Sequence, residues 1–99
     1  MSKVDLDMIY NYYLQIDANV AVRIYNGILD DSGILTYQPL IAPFEQTIKP
    51  SEKYRSLVVS KGRFKLIYYV ADNTVKIVCV WGCRQNPARL RRTIKRRNG

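Results

Sequence analysis

The side chains in this sequence with the most evident chemical potential are cations set among apolar runs. Arg55 stands in YRSLVVS (54–60), Lys65 in RFKLIYYVA (63–71), and Arg84 just past TVKIVCVWG (74–82). Read as strands, these runs put Arg55 and Lys65 on the face that also carries Leu57, Ile67 and Tyr69, with Arg84 at its edge, so that three cations converge. Guanidinium and ammonium groups aimed at a phosphate stabilise the charge that develops when a 2′-hydroxyl attacks the RNA backbone. The base for such a step would be a lysine of lowered pKa, a tyrosine or a carboxylate such as Glu52. The plainer reading of the same residues is a set of solvent-facing strand positions.

Other chemistries are narrowed by composition. The chain has no histidine, which removes a His-assisted nucleophile and the usual zinc ligand sets. Cys79 and Cys83 lie four residues apart across the end of an apolar run and read as reduced thiols with packing roles. No glycine-rich loop cradles a phosphate. None of the eight carboxylates is placed as a glycosidase pair. Neither a metal nor a cofactor is expected.

The charge distribution is more informative than its total. Residues 1–72 carry eight acids and eight bases, whereas residues 73–99 carry eight bases and no acid, so the whole net charge of +8 resides in the last quarter. Such asymmetry points to a polyanionic partner: nucleic acid, the ribosome or an acidic protein segment. Arg84, Arg89, Arg91, Arg92, Lys95 and Arg96 are the candidate contacts, and the competing reading is a solubilising tail with frayed final residues.

The elements that position these residues follow from hydrophobic period. The 99 residues suit one domain, 1–99, and 47% apolar content argues for a folded core. No apolar run reaches bilayer length and the N-terminus lacks a signal-peptide layout, so a cytoplasmic protein without a membrane partner is expected. Leu6, Ile9, Tyr10, Tyr13 and Leu14 repeat at helical spacing, with Ser2 as cap and Asp5 as first-turn acid. Ala21, Ile24, Tyr25, Ile28 and Leu29 repeat it again, capped by Asp17 or Asn19, and the short break between predicts an antiparallel helical hairpin. Gly33 loosens the second helix and Pro39 stops it. Residues 36–53 form a proline-rich loop with a short extended piece around Phe44 to Ile48.

The period then changes to that of strands. The three apolar runs, punctuated by Lys61-Gly62 and Asp72-Asn73, predict a three-stranded antiparallel meander with apolar side chains on both faces. One face takes the hairpin; the other meets something else or stays open. Asn86 and Pro87 then open a short basic helix with Leu90 and Ile94 on one side. The fold class is therefore α+β.

The second half resembles the RelE/ParE superfamily of bacterial toxins, the toxic halves of type II toxin–antitoxin (plasmid stabilisation) modules. The resemblance rests on YRSLVVSKGRFKLIYYVADNTVKIVCVW followed by CRQNPARL: a Tyr-Arg strand, a Gly turn, an aromatic-basic-x-x-Tyr strand, a second hairpin and a terminal Arg-x-x-Pro-x-x-Leu. It implies a toxin neutralised by a cognate antitoxin. The closing motif lies nearer the ParE side, whose members act on DNA gyrase. The alternative it leaves open is ribosome-dependent mRNA cleavage, in which Arg55, Lys65 and Arg84 stand where that branch sets cations against mRNA. In that branch Lys65 replaces a common Arg, and TIKRRNG lacks the usual late Tyr or His. A further alternative is a non-toxic basic nucleic-acid-binding module. Family members open with a β-strand before the first helix, whereas Met1 here lies almost at that helix; the edge so left open invites a homodimer or another strand.

Overall fold

Asp17 ends one helix and begins the next. Its backbone is extended (φ −163°, ψ 122°) and its Oδ1 accepts from Asn19 N at 2.8 Å, capping the second helix. The Ile16 and Asp17 amides both donate to Tyr13 O, closing the first helix within three residues of the second's start. In this computed structural model, which describes residues 3–48 and 53–98, the order is α1 (Lys3–Leu14), α2 (Ala18–Ser32), β1 (Arg55–Val59), β2 (Phe64–Ala71), β3 (Thr74–Gly82) and α3 (Pro87–Asn98). The α+β class expected from the hydrophobic period is what the chain adopts. Ser2, the expected cap of α1, lies outside the described residues.

The hairpin buries Leu6, Ala21, Ile24 and Ile28, with Ile9, Tyr13, Val20 and Tyr25 packed around them. Leu14 and Leu29, expected on the same faces, are exposed. Each lies eight residues past a buried position, a rotation of about 80° beyond it at 3.6 residues per turn. The opposite side of α1 is apolar too: Val4 and Met8 are 67% and 65% exposed, with Tyr12 beside them. Gly33 does not end α2 in a left-handed turn. Its φ is −58°, and the chain tightens into one further helical turn, Gly33–Thr36, that buries Leu35.

The sheet is the expected antiparallel meander, ordered β1-β2-β3. Asp72 and Asn73 have φ of 52° and 59°, the left-handed pair a two-residue hairpin turn requires. The β1–β2 connection is different: Ser60, Lys61 and Gly62 are all left-handed. Asp31 steadies this strained turn by accepting from Ser60 N at 2.7 Å. The extended piece expected over Phe44 to Ile48 is reduced to a single bridge, Phe44 to Arg55. Glu45 N donates to Tyr54 O and Ser56 N to Pro43 O, so this loop covers the outer edge of β1.

Two cores result. The hairpin covers Val59, Phe64, Leu66, Tyr68 and Val80, and the Tyr68 hydroxyl donates to Pro39 O at 2.7 Å. A register shift between Ile67 and Tyr68 bulges β3 and brings Val78 into the second core. There Leu90 and Ile94 of α3 and Ile48 of the loop pack on Ile67, Cys79 and Trp81. The second sheet face is therefore covered by the chain's own last helix. No helix among the described residues is long and apolar enough to cross a membrane.

One ion pair joins the ends of this arrangement. Arg97 Nη1 and Nη2 donate to Asp5 Oδ2 and Oδ1 at 2.6 and 2.8 Å, and Nη1 also donates to Val78 O. Asp5 Oδ2 in turn accepts from Val80 N at 3.0 Å. The last turn of α3 is thus anchored at Arg97, where frayed residues were expected, and Asp5 serves as a buried acceptor besides lying in the first turn of α1. Asp5→Asn should leave the half-exposed Arg97 without its counter-charge and lower the unfolding free energy by about 1.5 kcal/mol, the loss of a charge-assisted hydrogen-bonded partner. Arg97→Gln should cost a similar amount and the double variant less than the sum of both. Urea denaturation of the four proteins measures this, and strictly additive losses would show that the pair is not coupled.

Candidate functional site

The strand cations do not share a face. Adjacent antiparallel strands present paired residues on the same side, and Arg55 pairs with Tyr68 whereas Lys65 pairs with Val58 and Trp81. In this register odd-numbered residues of β1 face even-numbered residues of β2. Arg55 and Leu57 therefore lie on the hairpin side, and Lys65, Ile67 and Tyr69 on the other. The expected convergence of Arg55 with Lys65 is corrected by this parity.

Arg55 and Lys65 each also have a local partner. Arg55 Nη1 donates to Ala42 O at 2.7 Å and Leu40 O at 3.3 Å, and its guanidinium lies 4.2 Å from the centre of the Phe44 ring. It fastens the 40–44 segment to β1. Lys65 Nζ donates to Glu45 Oε1 at 2.7 Å, and Glu45 is almost wholly buried. Burial alone would raise the Glu45 carboxyl, but hydrogen bonds from Lys65 and from the Thr47 hydroxyl and amide together outweigh it and bring it down to about 2. Arg84 is exposed in the turn between β3 and α3 and makes no hydrogen bond or ion pair among the described residues. Glu52, the candidate base, lies outside the described residues.

The remaining candidates are on α3, which forms where the sequence places it: Asn86 Oδ1 accepts from Ala88 N at 3.0 Å and Pro87 takes the first helical position. The helix sorts its cations by angle. Leu90, Ile94 and Arg97 turn towards the sheet and the Asp5 carboxylate. Arg89, Arg92 and Arg96, at i, i+3 and i+7, line one flank together with Thr93. They border a cleft of about 330 Å³ completed by Trp81 and Gln85. Arg91 and Lys95 fall on the other flank, and Arg91 Nε donates to Thr47 O at 3.1 Å. A second cleft of about 440 Å³ lies between the end of α2 and the β2–β3 turn, with Ser32, Thr36, Asn73 and Thr74 among its walls, and no charged side chain among the described residues lines it.

The ion-pair roles of three residues were not assigned in the sequence: Asp5, Glu45 and Arg97. For Arg97 the signal was available, because it follows Leu90 by seven residues and Ile94 by three and so shares their face. Nothing local marks Glu45 as the partner of Lys65 or Asp5 as that of Arg97. The two thiols differ sharply: Cys79 is buried, which together with the nearby Asp5 charge pushes it up to about 12, while Cys83 is exposed. Compared with protein-family models and with curated proteins, the chain matches none.

Two measurements follow from these environments. The depressed Glu45 carboxyl contributes stability that is present above the unfolded value near 4.5 and is lost as pH falls towards about 2. Lys65→Met removes the main opposing donor, so the variant should be less stable than the parent at neutral pH and approach it near pH 2. Urea midpoints at three pH values would show this; a gap that persists undiminished in acid would contradict it. Iodoacetamide should modify one thiol per folded chain, Cys83, and reach Cys79 only in denaturant, as mass spectrometry of the adducts would reveal.

Proposed function

We propose that this chain is the toxin component of a type II toxin–antitoxin module of the RelE/ParE kind, acting by binding its target rather than by cutting RNA. DNA gyrase is the proposed target, and a cognate antitoxin with an acidic segment is the proposed inhibitor. The observation that carries the reading is the division of the cations. Arg55 and Lys65 sit on opposite sides of the sheet and each holds a structural contact, while the uncommitted guanidiniums gather at Arg84 and along α3. An RNA-cleaving site would need Arg55 and Lys65 on one phosphate. A binding surface needs only the exposed set.

The order of elements supports the same reading: helical hairpin, three-stranded meander, Arg84-x-x-Pro87-x-x-Leu90, basic helix. Eight bases without an acid over residues 73–99 would steer an acidic antitoxin segment to this end, with capture fastest at low ionic strength.

Addition of the protein to gyrase and relaxed plasmid should suppress supercoiling. The same preparation in a translating cell-free extract should leave a reporter mRNA intact by primer extension. Neutralising Arg84 and Lys95 together should weaken the gyrase effect at least about tenfold, the loss of about 1.4 kcal/mol or more of binding free energy. Ribosome-dependent cuts that disappear in Arg84→Ala would overturn the reading in favour of the endoribonuclease.

A further inference from the structure

The Trp81–α3 cleft has a composition that selects its ligand more narrowly than net charge does. Arg89, Arg92 and Arg96 lie along one helical flank, spanning roughly 10 Å at 1.5 Å rise per residue. None of the three guanidinium groups makes a hydrogen bond or ion pair among the described residues. The two buried carboxylates are already committed, Asp5 to Arg97 and Glu45 to Lys65. Among the described residues the fold therefore leaves three forked donors in a row with no carboxylate paired to them.

From this we infer that the cleft is a binding site for a ligand carrying two or more linked phosphate groups. Guanidinium forks bind phosphate oxygens in pairs, and a row of them fits a row of phosphates. The Gln85 side-chain amide adds a neutral donor at the rim, whereas the Thr93 hydroxyl is taken up donating to Arg89 O at 2.9 Å. An amphipathic acidic peptide fits less well, because such segments anchor through apolar side chains. Here the apolar part of the wall is a single indole, 7% exposed. Inorganic polyphosphate and the backbone of a single-stranded nucleic acid share the required chemistry. The inference does not depend on the toxin reading, since it rests on the cleft alone.

Trp81 is the only tryptophan in the chain, so its emission reports on the cleft directly. Titration of the full chain with sodium tripolyphosphate, and separately with a short single-stranded oligonucleotide, should give a saturable change in Trp81 fluorescence at low salt. The apparent affinity should fall on a straight line against log salt. Arg92→Gln and Arg96→Gln should each weaken it about tenfold, consistent with loss of a charged hydrogen-bonding partner. Arg92→Lys should fall between, and Arg91→Gln, on the other flank, should leave it nearly unchanged. The tighter of the two ligands identifies the source of the phosphates. The inference is overturned if neither gives a saturable change, if Arg91→Gln weakens binding as much as Arg92→Gln, or if a glutamate peptide of equal charge binds as tightly.

Discussion

The position of α3 depends on the bidentate pair between Asp5 and Arg97. A strand at the edge of a sheet presents free backbone groups, and a neighbouring strand would ordinarily supply both a donor and an acceptor to them. On β3 the Val80 amide is taken by the Asp5 carboxylate and the Val78 carbonyl by the Arg97 guanidinium. The two side chains come from the helices on opposite sides of the sheet, and each satisfies the other's charge. A carboxylate turned into this edge without the guanidinium would carry a large desolvation cost, and the pairing removes most of it. The same contact blunts the edge against other strands and clamps the last turn of α3, which keeps Leu90 and Ile94 over Ile67, Cys79 and Trp81.

That clamp has consequences for the charged surface. With its apolar stripe and Arg97 fixed on the sheet, α3 has no rotational freedom to redistribute its other cations. Arg89, Arg92 and Arg96 must share one flank, and Arg91 with Lys95 the other. Within the core side of the loop, Lys65 and Glu45 neutralise each other, so a strand position that looked available to a ligand is occupied from inside. Arg55 is similarly taken up in holding the 40–44 segment through two carbonyls and an aromatic face. What the molecule offers to an anion is therefore not its sequence total of +8. It is the subset that the fold leaves without an internal acceptor.

Period and turn chemistry made the elements legible in the sequence. Helical spacing located α1 and α2, Asp17 marked the break between them, and Asp72-Asn73 identified the tighter of the two hairpins. Asn86-Pro87 likewise located the start of α3. The faces of β1 were less legible. All three runs are apolar on both sides, since each face of the sheet is covered, so alternation carries no label for inside and outside and the parity of Arg55 against Lys65 has to come from the register. Long-range ion pairs were the least legible feature. A carboxylate at position 5 and a guanidinium at 97 have no local signal that joins them, and only the i, i+4, i+7 spacing of Leu90, Ile94 and Arg97 hinted that one cation of the basic helix turns inward.

The direction of the pKa shifts bears on whether the sheet is a catalytic surface. Proton transfer at neutral pH is served best by groups whose pKa values lie near 7. Glu45, the buried carboxylate beside Lys65, is driven down to about 2, and Cys79 on the same face is driven up to about 12. Both move away from neutrality, because one gains three donors that outweigh its burial while the other gains burial and a nearby negative charge. A carboxylate held that low is a poor base, and a thiol held that high is a poor nucleophile. The same burial that makes the Glu45–Lys65 pair a good structural bridge withdraws both partners from a substrate phosphate. Such an environment suits a rigid platform that displays cations at its margin, with the exposed cations on α3 and at the Arg84 turn and the strand pair Lys65–Glu45 closed on itself.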